Sequence, residues 1–168
     1  MVRSALPLVL LCACGGEPDC DELAESLVFD GGFEKGLECW RTAGGTFAAT
    51  AEEDGDRAPW VVVPAATEGS DQDSVQIASN RFYVVDRQPM QVSFRARAES
   101  QRSMWIDITG EESGLKAYWL RVTLEPEWQS FTFDFESNAT ADDTVLAFFF
   151  GEKAIGAEID DIALYRED

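Results

Sequence analysis

Two tryptophans with polar neighbours are the residues of this sequence best suited to bind a ligand. Trp105 and Trp119 are out of phase with the aliphatic residues of their segments. Asp107 lies two positions after Trp105, and Arg121 lies two positions after Trp119. Flat aromatic rings cover the apolar C–H face of a sugar ring, and planar hydrogen-bonding groups bind its hydroxyls. These four side chains therefore have the chemistry of a carbohydrate-binding surface.

Two arginines extend this set if the segments that carry them share a sheet. Arg95 and Arg97 alternate with apolar residues in the preceding segment. Because alternate residues of a strand face opposite sides, the outward side chains of one sheet would form one surface. The other interpretation is that the Trp and Arg side chains stack on one another beneath a loop. Trp60, before the apolar run 61–63, could belong to the core or to the rim.

The segments that position these residues have a hydrophobic period of two. Apolar and polar residues alternate in 91–97, 104–108, 118–124 and 130–135, whereas 145–150 is continuously apolar, as a central strand can be. Ile162 and Leu164 close the pattern, with Asp160 predicted on the same face. Polar segments separate these runs, and no long helical stripe interrupts them. Many short strands at this spacing predict an all-β protein with a β-sandwich fold.

The composition fits one folded domain and excludes several classes of function. The chain has 168 residues, with 11 Phe and 5 Trp to build a core. It has no histidine, which excludes His-based catalytic triads and most zinc sites. The 32 acidic residues include no pair in an apolar setting that would raise one pKa, as a two-carboxylate glycosidase requires. We therefore predict that the protein is not an enzyme.

The N-terminus resembles a bacterial lipoprotein signal peptide. Arg3 precedes an apolar stretch that is too short to span a bilayer, and Leu11-Cys12-Ala13-Cys14 matches the lipobox. This resemblance implies cleavage before Cys14 and lipidation of that cysteine, and residue 15 is not the Asp that retains lipoproteins in the inner membrane. We expect an outer-membrane lipoprotein of the cell envelope; a plain secretory signal is the alternative. Residues 14–26 would form an acidic tether and 27–168 the domain.

Cysteine count and charge then follow for the mature chain. Without residues 1–13 the basic residues number 13 − 1 = 12 against 32 acidic residues, a formal charge of −20. This charge repels phosphate backbones, so nucleic acid is excluded as a partner and the membrane is contacted only through the lipid. Cys20 and Cys39 remain for a disulfide in an oxidising compartment. The alternative is two separate cysteines, with Cys39 buried.

Four motifs in series resemble a known family. "DGGFEKGLECW", "MQVSFRARAES", "EWQSFTFDFES" and "IDDIALYRED" are similar, in order and spacing, to the jelly-roll carbohydrate-binding modules of the galactose-binding-like superfamily that are often appended to cellulases and xylanases. The resemblance covers about residues 27–166 and implies a jelly roll of two antiparallel sheets. It also implies packing roles for Trp40 and Trp128. Residues 87–90 depart from the family's usual Gly-x-x-Tyr.

The resemblance also implies one structural calcium ion. Glu34 falls on the position that supplies a carboxylate from the first loop, and Asp160 on the position that supplies one from the last strand. Gly31 and Gly32 would let the backbone bend so that carbonyl oxygens also face the ion. Ca²⁺ prefers six to eight hard oxygen ligands of this kind. The alternative for Glu34 is a solvated side chain at a turn.

Two functions remain open at this point. The first is a lipid-anchored, non-catalytic module that binds a polysaccharide or glycan through Arg95, Arg97, Trp105, Asp107, Trp119 and Arg121. The second is an envelope scaffold or adhesion lipoprotein of the same fold that binds a protein partner and has no affinity for sugar. One fold serves many functions, so the fold does not choose between them. An open groove on the tryptophan-bearing face would favour sugar, and a flat or covered face would favour the scaffold.

Overall fold

The described residues of the protein form eleven β-strands. The computed structural model describes Cys20 and residues 26–28, 30–50 and 60–167. In chain order the strands are β1 (Arg41–Ala43), β2 (Ala48–Thr50), β3 (Trp60–Val63), β4 (Gln76–Ala78), β5 (Phe82–Val84), β6 (Pro89–Ala98), β7 (Arg102–Gly110), β8 (Lys116–Leu124), β9 (Gln129–Glu136), β10 (Ala141–Phe149) and β11 (Ala157–Arg166). Within this described part, no helix is long and apolar enough to cross a membrane.

The strands form two antiparallel sheets. Sheet A has the order β1-β4-β10-β7-β8, and β5 also pairs with β10; sheet B has the order β2-β3-β11-β6-β9. Neighbours in both sheets are mostly distant in sequence, so the chain crosses repeatedly from one sheet to the other. This arrangement confirms the predicted all-β sandwich of two antiparallel sheets.

The core lies between the two sheets because each strand turns its apolar residues inward. In β6, Met90, Val92, Phe94 and Ala96 are buried, whereas the residues between them are partly exposed. Phe94 of sheet B meets Phe148 of sheet A edge to face, with ring centroids 5.1 Å apart. The continuous apolar run in β10 marks a central strand, as predicted, since β10 pairs with β7 on one side and with β4 and β5 on the other.

A bulge in β11 changes the face on which Asp160 lies. The pairing of β11 with β6 shifts between Asp160 and Ala163, and Asp161 has a left-handed φ of 50°. Asp160 pairs with Arg95, an outward residue, whereas Ile162 is buried in the core. The prediction that Asp160 shares a face with Ile162 was therefore wrong, because the extra residue of a bulge reverses the alternation.

The segment before β1 is tied to the end of the sandwich. The amide of Leu27 donates to the carbonyl of Leu164 (2.7 Å), and the amide of Ile162 donates to the carbonyl of Gly31 (2.9 Å). A Cβ atom on Gly31 would lie 1.6 Å from the carbonyl oxygen of Ile162, so only glycine fits there. Cys20 and Cys39 form the predicted disulfide. Cys14 and the lipobox lie outside the described residues.

Candidate functional site

The outer face of sheet A presents two rows of side chains, each aligned across five strands. In the order β1, β4, β10, β7, β8, one row contains Arg41, Ala78, Ala147, Asp107 and Trp119, and the other contains Ala43, Gln76, Phe149, Trp105 and Arg121. The row between them, which includes Ile77, Phe148 and Ile106, faces the core. These ten outward residues define the sheet A face. It brings together four of the six residues predicted to bind carbohydrate.

Three aromatic rings lie side by side on the sheet A face. Trp105 and Trp119 have ring centroids 5.1 Å apart, and Trp119 and Phe149 have centroids 6.0 Å apart. Trp119 is 45% exposed, although it is large and apolar. The Arg121 guanidinium lies 5.3 Å from the centroid of Trp105 and donates to the Ser103 hydroxyl. The rings therefore form an aromatic platform that a ligand can reach.

Asp107 supplies a buried carboxyl group next to this platform. The residue is only 9% exposed, and its burial raises the pKa of the carboxyl to about 6, with Lys116 acting in the opposite direction. Among the described residues, neither Oδ1 of Asp107 nor Nε1 of Trp105 has a hydrogen-bond partner. A buried polar group without a partner costs about 1–3 kcal/mol.

A shallow cleft with small residues at its floor adjoins the rings. The cleft has a volume of about 180 Å³, and Ala78, Val145 and Ala147 are among the residues that line it. At its rim, Glu111 accepts hydrogen bonds from the guanidinium groups of Arg41 and Arg81. These bonds lower the pKa of Glu111, the bond from Arg41 most strongly. The platform and the cleft together give the sheet A face an apolar centre and a charged edge.

Arg95 and Arg97 do not belong to this face. They lie on β6, in sheet B, whereas Trp105 and Trp119 lie on β7 and β8, in sheet A. The condition that all three segments share a sheet was therefore wrong. The chain crosses from sheet B to sheet A at residues 99–101. The alternation of apolar and polar residues could not show this, because it is the same whether a short loop joins two strands of one sheet or strands of different sheets.

The other tryptophans divide between the core and the outer face of sheet B. Trp40 is buried, and its indole N–H donates to the carbonyl of Asp30 (3.0 Å). Trp128 is partly exposed and lies against the guanidinium groups of Arg95 and Arg97, 5.1 and 4.9 Å from its ring centroid. Trp60 meets Trp128 edge to face at 6.5 Å. Trp128 therefore packs on the outside of sheet B rather than in the core.

Sequence reasoning missed six of the ten residues of the sheet A face, among them Phe149 and Arg41. Phe149 was hidden within the apolar run 145–150, although it is out of phase with its buried neighbours Phe148 and Phe150. Arg41 lies in a strand of three residues, which is too short for a periodic signal. The phase of Phe149 was a usable signal, whereas Arg41 had none.

Glu34 and Asp160, the predicted calcium ligands, lie near each other, with Asp160 on the central strand β11 of sheet B. Asp160 is buried, and its pKa is raised to about 6, mainly by burial and further by the charges of Asp161 and Glu34. The pKa of Asp30 is also raised to about 6, by burial and by its interaction with Glu34. Asp30 was not predicted as a member of this acidic group. Among the described residues, no three Asp, Glu, His or Cys side chains meet as a metal site.

Sequence and structural comparisons identify the family. A family described as a carbohydrate-binding domain matches residues 25–154, more than half of the chain. The chain belongs to this family. No curated protein matches it closely enough in sequence to be significant. As a carbohydrate-binding domain, it carries its aromatic platform on an outer sheet face that is continuous across five strands.

Solved structures show the same fold at low sequence identity. The N-terminal cellulose-binding domain of Cellulomonas fimi β-1,4-glucanase C has a TM-score of 0.58 at 24% identity, over 79% of this chain and 91% of that one. A family 61 carbohydrate-binding module in complex with β-1,4-galactotriose has a TM-score of 0.58 at 16% identity, over 86% and 100%. A Clostridium thermocellum xylanase fragment with xylohexaose has a TM-score of 0.59 at 16% identity, over 85% and 29%.

Proposed function

We propose that the protein is a lipid-anchored, non-catalytic carbohydrate-binding module that holds a polysaccharide or glycan at the cell envelope through the sheet A face. The observation that carries this proposal is the platform of Trp105, Trp119 and Phe149 beside the unpartnered carboxyl of Asp107. A pyranose ring stacks on the indoles, with the carboxyl group of Asp107 beside it.

Charge narrows the ligand to a neutral or weakly charged glycan. The mature chain would carry a formal charge of −20, and both arginines at the cleft rim are engaged by Glu111. An acidic polysaccharide would meet repulsion from this surface, and Arg41 and Arg81 at the cleft rim are already paired with Glu111. Cellulose, xylan and related neutral chains fit this charge pattern.

A calcium ion bound by Glu34 and Asp160 is part of the proposal. The site fits a hard cation, because burial and then the charges of Asp161 and Glu34 raise the pKa of Asp160, and a bound cation would offset those negative charges. Because no three acidic side chains meet as a metal site among the described residues, backbone carbonyls of the glycine turn would have to complete the shell. The ion would hold the first loop against β11 and take no part in binding sugar.

The lipid anchor at Cys14 is proposed from the lipobox alone. An acylated Cys14 with the acidic tether after it would hold the domain at the outer membrane. The scaffold function, with a protein partner and no affinity for sugar, is the competing proposal. The accessible platform and the cleft on the sheet A face favour carbohydrate over a flat contact surface.

A glycan array tests the proposed function directly. The soluble chain of residues 15–168 omits the lipidated cysteine and retains both partners of the Cys20–Cys39 disulfide. We expect neutral linear glycans among the bound members and expect Trp119→Ala to weaken their binding. An array with no bound glycan, or one unchanged by Trp119→Ala, would contradict carbohydrate binding at the sheet A face.

A further inference from the structure

The outer face of sheet B contains a larger groove than the cleft of sheet A. Its volume is about 410 Å³, within the range of small-ligand sites. Its walls come from the end of β3, the end of β6, the turn before β9 and the start of β11. The residues used in the argument are Val62, Pro64, Ala65, Arg97, Pro126 and Glu158. Register places Val62, Glu158 and Arg97 side by side across three strands.

Two tryptophans lie near the groove, outside its lining, and repeat chemical elements of the sheet A face. Trp128 and Trp60 form an indole pair, as Trp105 and Trp119 do. Arg97 stacks on Trp128 at 4.9 Å, as Arg121 stacks on Trp105 at 5.3 Å. In both places one indole N–H, that of Trp60 or that of Trp105, has no hydrogen-bond partner among the described residues.

The charges of the groove define the ligand that it accepts. The guanidinium of Arg97 donates to the carboxylate of Glu158, so the two groups neutralise each other while the remaining donors and acceptors stay available. Glu99 at the edge adds a negative charge. Val62, Pro64, Ala65 and Pro126 supply apolar contact. A neutral ligand with hydroxyl groups and an apolar ring face satisfies both kinds of surface.

We propose that this groove is a second carbohydrate site, which binds a neutral glycan chain on the side of the sandwich opposite the sheet A face. The proposal rests on the proposed function for the class of ligand. Because the sites lie on opposite faces of two sheets about 10 Å apart, they hold separate chain segments. One domain would therefore link two glycan chains, or bind one folded-back chain with the gain that linkage gives.

Titration calorimetry with cellohexaose and xylohexaose tests this second site. The protein is the full-length chain as expressed, kept in zwitterionic detergent because sugar-based detergents would compete. We expect two ligands per wild-type chain for the bound sugar. Ala65→Arg fills the groove from an exposed position, and we expect it to leave one ligand and weaken the second site at least tenfold. Thr132→Arg adds the same side chain elsewhere on sheet B and should leave two.

Trp119→Ala separates the second site from the first. If the first site is on the sheet A face, this variant should lose one ligand and keep the one that Ala65→Arg removes. One ligand per wild-type chain, lost with Trp119→Ala and unaffected by Ala65→Arg, would overturn the second site and leave the proposed function standing. One ligand lost only with Ala65→Arg would support the groove and contradict the sheet A face. No binding of either sugar contradicts both.

Amide chemical shifts provide a second measurement on the same samples. At saturating sugar, the amides of Val62, Ala65 and Glu158 should shift in the wild type and in Trp119→Ala. In Ala65→Arg the shifts at Val62 and Glu158 should disappear, while those around Trp105 remain. Shifts confined to β7, β8 and β10 at saturation would overturn the second site.

Discussion

Replacing Trp119 with Ala should weaken glycan binding about tenfold while the domain stays folded. The side chain is 45% exposed. An indole offers up to about 250 Å², so roughly 110 Å² remains for a ligand to cover. A pyranose covers one face of the ring, or about half of this area. At about 25 cal/mol per Å², burial of that half contributes about 1.4 kcal/mol, which is tenfold in Kd.

The effect on stability should be smaller than that of a buried tryptophan. The Trp119→Ala substitution removes the ring contacts with Trp105 and Phe149, and each contact of this kind contributes about 0.5–1.5 kcal/mol to stability. Trp40→Ala removes a buried ring and should cost about 3–5 kcal/mol. Tyr165→Ala is the matched control, because it removes an exposed aromatic ring from outside the sheet A face.

Calorimetric titration and denaturant unfolding of each variant provide the two measurements. Trp119→Ala should have a Kd about tenfold higher, and Tyr165→Ala should have the wild-type Kd. Trp119→Ala with wild-type affinity would refute the assignment of the platform. A loss of 3 kcal/mol or more in its unfolding free energy would show that the ring is part of the core.

Four further predictions concern the acidic groups and the N-terminus. With calcium present, a chelator should lower Tm, and Glu34→Gln or Asp160→Asn should abolish that sensitivity; a wild-type Tm indifferent to chelator would rule out the ion. In the presence of chelator, the free energy of unfolding should fall as pH rises from about 4 to about 6. The folded-state pKa values of Asp107 and Asp160 are raised to about 6. The folded chain therefore binds more protons than the unfolded chain in this pH range, and it loses stability as the pH rises. Asp107→Asn should flatten this fall, and an unchanged slope in urea titrations would contradict the burial effect. Cys14→Ser should prevent incorporation of labelled fatty acid, and label retained by that variant would disprove the anchor. Cys39→Ser should reduce stability by about 3 kcal/mol in denaturant unfolding, as expected for a loop of about 20 residues, whereas a loss near zero would contradict a stabilising role.

The sequence predicted which side chains face outward more reliably than it predicted which of them share a sheet. The phase of Trp105 and Trp119 within β7 and β8 identified both as outward, because a strand's period of two follows from its backbone geometry. Arg95 and Arg97 were also outward, but on the opposite side of the molecule. Which sheet a strand joins depends on long-range pairing, and local alternation contains no record of that pairing.

The acidic group of Asp30, Glu34 and Asp160 shows a second limit of sequence reasoning. The resemblance identified Glu34 and Asp160, and the structure brings both into one electrostatic group. The bulge at Asp161 was not visible, since a bulge requires only one extra residue and no particular sequence there. Asp30 was missed because its raised pKa depends on burial, a property of the folded chain.

The Cys20–Cys39 disulfide would limit how far the domain can move from a lipid anchor at Cys14. With the lipid on Cys14, only residues 15–19 separate the membrane from a covalent link to the domain. Six Cα steps span at most roughly 20 Å when fully extended. Without the disulfide, the next described attachment is Ser26, whose hydroxyl accepts from the Leu164 amide, and the maximum span becomes roughly 40 Å. Doubling this radius enlarges the accessible volume about eightfold and dilutes the domain near its glycan accordingly. If the proposed lipid anchor is present, oxidation of the two cysteines would therefore set the local concentration at which the domain meets its proposed polysaccharide.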